Sequence, residues 1–258
     1  MVLFHLTQPT VPGIPVIANI PHSGEEIPRT IAWQFRRELR RKLYGTDWHL
    51  GRLYDFLSDL GVTVLRATQS RYVVDLNRDW KKEVFGHFTQ AVIYRQTFGG
   101  DLLYDAEPPD YELNDRIIRY YLPYHRQLTE LLEETVRDHG RAVLLDLHSF
   151  GADSPDADVV LGDVNGKSCD KGLTESFQAA FKAHGFSVVR NDRWTGGHIT
   201  RHYGGLPEVQ AIQIEIRFRA YLEALPVRPA DIEETTDIFR DTRQRLRKTF
   251  EEVLREIV

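Results

Sequence analysis

The sequence predicts an α/β fold, in which helices cover a mainly parallel mixed sheet within one domain spanning residues 1–258. Three observations lead to this prediction. Short β-branched runs alternate with longer segments of helical period, several of the short runs are apolar almost throughout, and no repeat or Ser/Gly-rich linker divides the chain. Such alternation is typical of parallel sheets with helices on both faces. A length of 258 residues is ordinary for one domain of this class.

Seven short runs of β-branched and apolar residues are the predicted strands. Near-continuous apolar character is expected where both faces of a strand are covered, whereas a half-exposed strand would alternate. The runs occupy residues 14–20, 62–66, 72–76, 142–147, 159–161, 187–189 and 211–216.

Four helices are predicted between and after these strands. The first follows Thr46 and Asp47, either of which can cap it, and ends at Gly61, with leucines recurring at three- and four-residue spacing. The second, at residues 114–139, contains Pro123, which is expected to kink or divide it. The other two occupy residues 173–184 and 231–257.

Composition and charge exclude several classes of protein. The 33 basic and 38 acidic residues give a net charge of −5, which disfavours a nucleic-acid or anionic-membrane partner. No apolar run is long enough for a transmembrane helix, and residues 1–12 lack the pattern of a secretory signal. The single cysteine, Cys169, excludes an internal disulfide and a cysteine-based zinc site, so we expect a cytoplasmic protein. The oligomeric state is left open.

Polar residues follow or interrupt the predicted strands where a metal site could form. His22 and Glu25 come after the first strand, and His148 comes after the fourth. Because the carboxyl ends of parallel strands meet at one edge, these side chains can share a crevice. A zinc ion could bind all three and keep one position open for water, with Asp146 orienting His148 from the same strand face. The alternative is that the histidines and acids are ordinary turn and strand-end residues.

Arginines and one strand glutamate suggest substrate binding and proton transfer. Arg71, Asn77 and Arg78 could grip a carboxylate, because a guanidinium forms two parallel hydrogen bonds with that group, although surface ion pairs are the alternative. Glu215 interrupts an apolar strand. It is either a general base with a raised pKa or a member of a polar strand face with Gln213.

Two loops could close over a ligand. Residues 81–109 are rich in glycine, aromatic and charged residues and are predicted as a long loop, a kind of segment that is often functional. Residues 195–205 hold four glycines, an arginine and two histidines, His198 and His202. The alternative for this second segment is a polar turn.

Seven segments taken together resemble the N-formylglutamate amidohydrolase family over almost the whole chain. More distantly, the pattern is similar to the metallocarboxypeptidase and aspartoacylase superfamily, which implies a zinc-carboxypeptidase-like α/β fold and hydrolysis of amides next to a carboxylate. The segments, in chain order, are PHSGEEIP, TDWHLGRLYDF, SRYVVDLNRDW, YRQTFGGDLLYD, LLDLHSFG, GGHITRHYGG and IQIEIRFRAYL.

The resemblance implies a zinc-dependent hydrolase that cleaves N-formyl-L-glutamate to formate and L-glutamate. Hydrolysis of another N-acyl amino acid on the same fold is the alternative, and a non-catalytic amino-acid-binding relative is a further one. His22 and His148 are then zinc ligands. Glu25 is the first choice for the acidic ligand and Asp47 is the alternative.

The same resemblance assigns the remaining site residues. Asn77 and Arg78 match the pair that holds the substrate carboxylate, and Arg71 polarises the scissile carbonyl. Glu215 matches the general base, and His202 lies in a segment shared with the family and is taken as substrate-binding.

Overall fold

Seven strands form one mixed sheet in the computed structural model, which describes residues 2–37, 45–151, 155–223 and 236–257. A smaller pair of strands, β4 (Phe85–Gly86) and β5 (Ile93–Tyr94), lies within the predicted loop at 81–109. The strands of the large sheet are β1 (Phe4–Thr7), β2 (Val16–Ile20), β3 (Thr63–Ala67), β6 (Ala142–Phe150), β7 (Val159–Gly162), β8 (Val188–Arg190) and β9 (Val209–Arg217).

The order of the large sheet is β1-β3-β2-β6-β9-β7-β8. Strands β3, β2, β6 and β9 run parallel to one another, as do β7 and β8, whereas β1 pairs antiparallel with β3 and β7 pairs antiparallel with β9. The predicted fold class, a mainly parallel mixed sheet covered by helices, is therefore confirmed.

The two longest strands, β6 and β9, form the centre of the sheet. They pair in register from Ala142 opposite Val209 to Phe150 opposite Arg217. All nine residues of β6 are buried, which agrees with the continuous apolar run in its sequence. The register places His148 directly beside Glu215, so two predicted site residues are neighbours on adjacent strands.

The predicted strand at residues 72–76 is wrong, because this segment turns back on itself. The Val73 amide donates to Ser70 O over 2.8 Å, and the carboxylate of Asp75 accepts a hydrogen bond from the Asn77 amide over 2.8 Å. The apolar residues here are buried as those of a strand would be, and the Asp75 amide donates to Val92 O over 2.7 Å. Strand β1 was not predicted, and three of its four residues are exposed.

The predicted helix after Asp47 is broken into two short pieces. It consists of α2 (Leu50–Leu53) and a 3-10 helix (Asp55–Leu60), and Gly61, with φ of 86°, ends it as predicted. His49 precedes α2 with a left-handed φ of 55°, so neither Thr46 nor Asp47 caps the helix.

The predicted helix at 114–139 is continuous and starts earlier, at α3 (Asp110–Arg116). It passes through a π-helical turn (Ile117–Tyr121) into α4 (Leu122–His139). Pro123 therefore does not divide the helix, because the wider π turn directly before it accommodates a residue without an amide hydrogen.

The remaining helices complete the two faces of the sheet. They are α1 (Arg29–Ala32), α5 (Lys171–Ala183), α6 (His198–Tyr203) and α7 (Asp237–Ile257), with a 3-10 helix (Phe218–Ala220) after β9. Residues 231–235 of the last predicted helix lie outside the described residues. Phe250 of α7 packs against Phe177 and Phe181 of α5, with ring centroids 5.5 and 6.2 Å away.

A single apolar cluster runs from Val16 to Ile257 and includes side chains from the large sheet and its covering helices. This arrangement supports the single domain over residues 1–258, which stays a prediction. None of the helices in the described ranges has the length and apolar character that crossing a bilayer requires.

Candidate active site

Three buried side chains from separate parts of the chain converge at the carboxyl edge of the central strands. They are His22, just after β2, Asp47, before α2, and His148 of β6. Asp47 Oδ2 lies 3.0 Å from His148 Nδ1 and 3.8 Å from His22 Nδ1. One ligand atom from each residue lies within 4.8 Å of the others. Two imidazoles and a carboxylate are a common donor set for a divalent metal ion in a catalytic site.

The outer nitrogen of each imidazole meets a second carboxylate. His22 Nε2 lies 2.7 Å from Asp75 Oδ1, and His148 Nε2 lies 3.1 Å from Asp146 Oδ1. Metal-binding histidines characteristically donate their other ring N–H to such a group, which fixes the ring and its tautomer. Both rings therefore present Nδ1 to the point that Asp47 also faces, so the residues present fit a metal ion.

Charge around the two imidazoles also suits a cation. Burial, together with the Arg71 guanidinium, lowers the pKa of His22 to about 4, so this ring is neutral at pH 7 as a metal ligand must be. Burial also lowers the pKa of His148, but Asp146 and Asp47 outweigh it and raise that pKa well above the usual range. The carboxylates around His148 thus favour positive charge at this point, which a divalent ion would supply.

A cavity of about 730 Å³ opens onto the cluster. Its volume lies within the ~300–1,000 Å³ range of small-molecule sites. Besides His22, Asp47 and His148, its lining includes four groups that the sequence predicted for the site: Arg71, Asn77, Arg78 and Glu215.

Glu215 is a buried carboxyl group beside the cluster. Its Oε1 accepts a hydrogen bond from Gln213 Nε2 over 2.8 Å, and Gln213 Oε1 accepts one from the Gly197 amide over 2.6 Å. Both side chains are buried, so the alternative of a half-exposed polar strand face is wrong. Burial raises the pKa of Glu215 to about 7, with Asp47 adding to the rise and His148 opposing it. A carboxyl group with that pKa can accept and return a proton near neutral pH.

The sequence comparison is decisive for the family. Residues 14–222 match the profile of the family described as N-formylglutamate amidohydrolase, which is most of the chain. The chain belongs to the N-formylglutamate amidohydrolase family. It is therefore an enzyme of the class that hydrolyses amides.

Individual relatives agree with this assignment. The chain is 36% identical to the N-formylglutamate deformylase of Pseudomonas putida over 221 residues, 81% of this chain and 82% of that protein. It is 35% identical to the N-formylglutamate deformylase of Pseudomonas aeruginosa over 253 residues, 93% of each. The crystal structure of N-formylglutamate amidohydrolase from Ralstonia eutropha JMP134 has a TM-score of 0.84 at 27% identity, covering 100% of this chain and 97% of that one.

The geometry of this N-formylglutamate amidohydrolase family member favours Asp47 over Glu25 as the acidic ligand. Glu25 is half-buried, and within the described residues it neither joins the convergent cluster nor lines the cavity. The turn after His22 packs closely on the neighbouring segment, because a Cβ on Gly24 would lie 2.2 Å from Gln69 O. Asp47, in contrast, is tied to His22 by its amide, which donates to His22 O over 3.0 Å.

Arg71 is held by groups that compensate its charge. Its Nη2 lies 2.7 Å from Asp75 Oδ2, and its Nε donates to the Tyr94 hydroxyl over 3.1 Å. The Tyr94 hydroxyl in turn donates to Asp75. Gly45 O accepts from Arg71 Nη1 over 3.2 Å, so this guanidinium has a fixed orientation in the cavity wall.

Arg78 differs from Arg71 in its partners. Within the described part of the chain its hydrogen bonds go to two neutral carbonyl oxygens, Asn77 O at 3.0 Å and Phe88 O at 3.3 Å. Its Nε is buried with no hydrogen-bond partner there. A guanidinium whose charge is not balanced by a carboxylate favours an anionic ligand.

Asn77 has protein partners in addition to the predicted contact with substrate. Its Nδ2 lies 3.1 Å from His148 Nε2, and its Oδ1 accepts from the Ile199 amide over 2.8 Å. Gly197 packs directly on this side chain, since a Cβ there would lie 2.2 Å from Asn77 Nδ2. Asn77 thus links the metal cluster to the start of α6.

The structure does not bring His202 to the cavity. It lies exposed on α6 and stacks on His198, with ring centroids 5.3 Å apart. Within the described residues it is absent from the cavity lining. A motif shared with the family therefore includes a residue outside the candidate site.

Sequence reasoning missed Asp75, Tyr94 and His125. Asp75 falls in the predicted strand at residues 72–76, although an acid two residues before Asn77 could have indicated it. His125 of α4 bridges Leu76 O, 2.9 Å from Nε2, and the Tyr203 hydroxyl, 2.9 Å from Nδ1. It therefore holds the backbone immediately before Asn77, and no local pattern indicated that contact.

Replacing His125 with phenylalanine tests this bridge through pH. Burial lowers the pKa of His125 to about 3, whereas the unfolded chain protonates it near pH 6.5. Its stabilisation is therefore fully present above pH 6.5 and is lost as the pH falls. The stability difference between wild type and His125→Phe should shrink by about 1.4 kcal/mol from pH 7.5 to 5.5 in urea unfolding. Exposed His139→Phe is the control, and a pH-independent difference for His125→Phe would contradict the assignment.

Proposed function

We propose that this enzyme is a zinc-dependent N-formyl-L-glutamate hydrolase that releases formate and L-glutamate. The observation that most supports this proposal is the convergence of His22, Asp47 and His148 beside Glu215. Arg78 lines the same cavity. The names of the Pseudomonas relatives, N-formylglutamate deformylase, support the substrate. The cytoplasmic location and the absence of a nucleic-acid partner stay predictions.

His22, Asp47 and His148 would hold the zinc ion, with Asp75 and Asp146 orienting the two rings. When bound, zinc supplies Lewis-acid activation of an attacking water and of the formyl carbonyl. All three side chains line the cavity, so an ion held by them would be accessible to the substrate.

Glu215 is the proton-transfer group in this proposal. With a pKa of about 7, its carboxylate accepts a proton from the attacking water and then returns it to the leaving amide nitrogen. Gln213 holds Oε1 of Glu215, which directs the carboxyl group while its other oxygen carries the proton. The C–N bond breaks as the nitrogen is protonated, giving formate and the free amino group.

Arg71 and Arg78 have separate roles in this proposal. Arg78, which lacks a carboxylate partner within the described residues, binds the α-carboxylate of the substrate. Arg71, held by Asp75 and Tyr94, stabilises the negative charge that develops on the formyl oxygen. A donor that is already oriented costs no reorganisation during the reaction, and one such donor contributes about 3–4 kcal/mol.

Metal removal tests the proposed function as a whole. The purified enzyme should contain zinc and hydrolyse N-formyl-L-glutamate, lose activity on chelation and recover it when zinc is added back, as measured by formate release. N-acetyl-L-glutamate and neutral N-formyl amino acids should be poorer substrates. Activity that survives complete metal removal would refute zinc dependence, and preference for another N-acyl amino acid would refute the substrate.

Glu215→Gln should remove proton transfer and leave the metal ligands in place. We expect kcat to fall by about 10²- to 10⁴-fold, the usual contribution of a general base, while zinc content is unchanged. Steady-state kinetics and metal analysis measure the two effects. Glu175→Gln, an exposed change on α5, is the control. Near-normal kcat in Glu215→Gln would exclude this residue as the base.

Arg78→Gln should weaken binding of the α-carboxylate. We expect kcat/KM for N-formyl-L-alanine to fall by about 10- to 100-fold, because charge-assisted hydrogen bonds are lost. N-formylethylamine, which lacks the carboxylate, should be affected much less. Arg119→Gln, an exposed helical change, serves as the control. Equal losses on both substrates would show that Arg78 acts on something other than the carboxylate.

A further inference from the structure

We infer that Arg193 and Arg201 form a second carboxylate subsite in the same cavity, which binds the side-chain carboxylate of an acidic N-acyl amino acid. Both residues line the cavity, and both lie outside the set of groups assigned above. The inference rests on the proposed function and deepens it, because it names the part of the site that recognises the substrate side chain.

The argument starts from the number of charges in the cavity. Four arginines line it, and Asp75 already balances the charge of Arg71. Arg78 accounts for one substrate carboxylate, the one that every N-acyl amino acid carries. Arg201, which has no carboxylate partner within the described residues, supplies a further positive charge, and Arg193 lines the same cavity. N-formylglutamate has one further carboxylate. A substrate with two carboxylates therefore matches this cavity better than a substrate with one.

Arg193 lies on an aromatic surface at the cavity wall. Its guanidinium carbon is 5.0 Å from the centroid of the Trp194 ring. Trp194 itself packs on Phe150, with ring centroids 4.6 Å apart, and both aromatic residues line the cavity. Such a contact restricts the motion of an arginine and holds its guanidinium at the cavity wall.

The backbone around Arg193 is held in an uncommon conformation. Asn191 and Arg193 have left-handed φ values of 51° and 56°, which side chains other than glycine seldom adopt. Such conformations persist where surrounding contacts enforce them, and they concentrate at ligand sites.

The contacts that enforce this conformation are present in the loop. Asn191 Nδ2 donates to Asp163 Oδ1 over 2.7 Å, and Asn191 Oδ1 accepts from the Asp163 amide over 3.1 Å. The Val164 amide donates to Thr195 O over 2.6 Å. The segment before and after Arg193 is thus tied to the end of β7.

Arg201 reaches the cavity from α6. Its Nη2 donates to the hydroxyl of Thr195 over 2.9 Å, and within the described residues Arg201 forms no ion pair with a carboxylate. Residues at the start of this helix contact side chains of the site. The Gly197 amide donates to Gln213 Oε1, and the Ile199 amide donates to Asn77 Oδ1. Arg201 is therefore positioned by the same short segment that contacts the groups holding Glu215 and His148.

The test compares N-formyl-L-glutamate with N-formyl-L-glutamine, which has nearly the same shape and a neutral side chain. In the double variant Arg193→Gln/Arg201→Gln, kcat/KM for N-formyl-L-glutamate should fall by about 10- to 100-fold, mainly through KM. The value for N-formyl-L-glutamine should change by less than about threefold. The single variants Arg193→Gln and Arg201→Gln show how much of the effect each arginine contributes. Arg137→Gln, an exposed change on α4, is the control.

Two results would overturn the subsite: an equal loss on both substrates, or no loss on either. If the wild-type enzyme hydrolyses neither substrate, the proposed function fails, and calorimetric binding of L-glutamate and L-glutamine still decides the subsite. A preference of the wild type for L-glutamate that disappears in the double variant supports it. Equal binding of the two amino acids by the wild type refutes it.

Discussion

The candidate metal site depends on the balance of charge around one buried carboxylate, that of Asp47. Two imidazole nitrogens, from His22 and His148, face its Oδ2, and the other nitrogen of each ring faces Asp75 or Asp146. Three buried carboxylates so close together are unfavourable unless positive charge lies among them. The cluster therefore requires cationic partners, and this requirement accounts both for the protonation preference of His148 and for the fit to a divalent ion.

Strand order explains why these residues meet. β2, β6 and β9 are adjacent and parallel, so their carboxyl ends share one edge of the sheet. His22 follows the first of these strands, His148 lies near the end of the second, and Glu215 lies opposite His148 on the third. Formation of the central sheet therefore brings His22, His148 and Glu215 together, and burial on both faces makes its register strongly specified.

The sequence predicted what depends on local pattern and missed what depends on long-range contact. Apolar runs identified β2, β6 and β9, and strand ends identified His22 and His148. The prediction of a strand at residues 72–76 is wrong because a buried turn can have the same apolar sequence pattern as a buried strand. The first predicted helix starts later than expected because His49 adopts a left-handed backbone before Leu50. Spacing favoured Glu25 since it lies near His22 in the chain, whereas Asp47 meets His148 across 101 positions.

In the proposed function, the arginines divide between the reaction and the recognition of the substrate. Arg71, whose charge Asp75 balances, has little net attraction for an anion in the ground state, so its advantage lies in fixed direction toward charge that develops during the reaction. Arg78 has no carboxylate within hydrogen-bonding distance in the described residues, so in this proposal it attracts the substrate carboxylate from the outset. Arg193 and Arg201 belong to the β8–α6 connection and to α6, and not to the strands that carry His148 and Glu215. Replacing the two arginine side chains would therefore alter side-chain recognition, while the backbone contacts of this segment with Gln213 and Asn77 could stay in place.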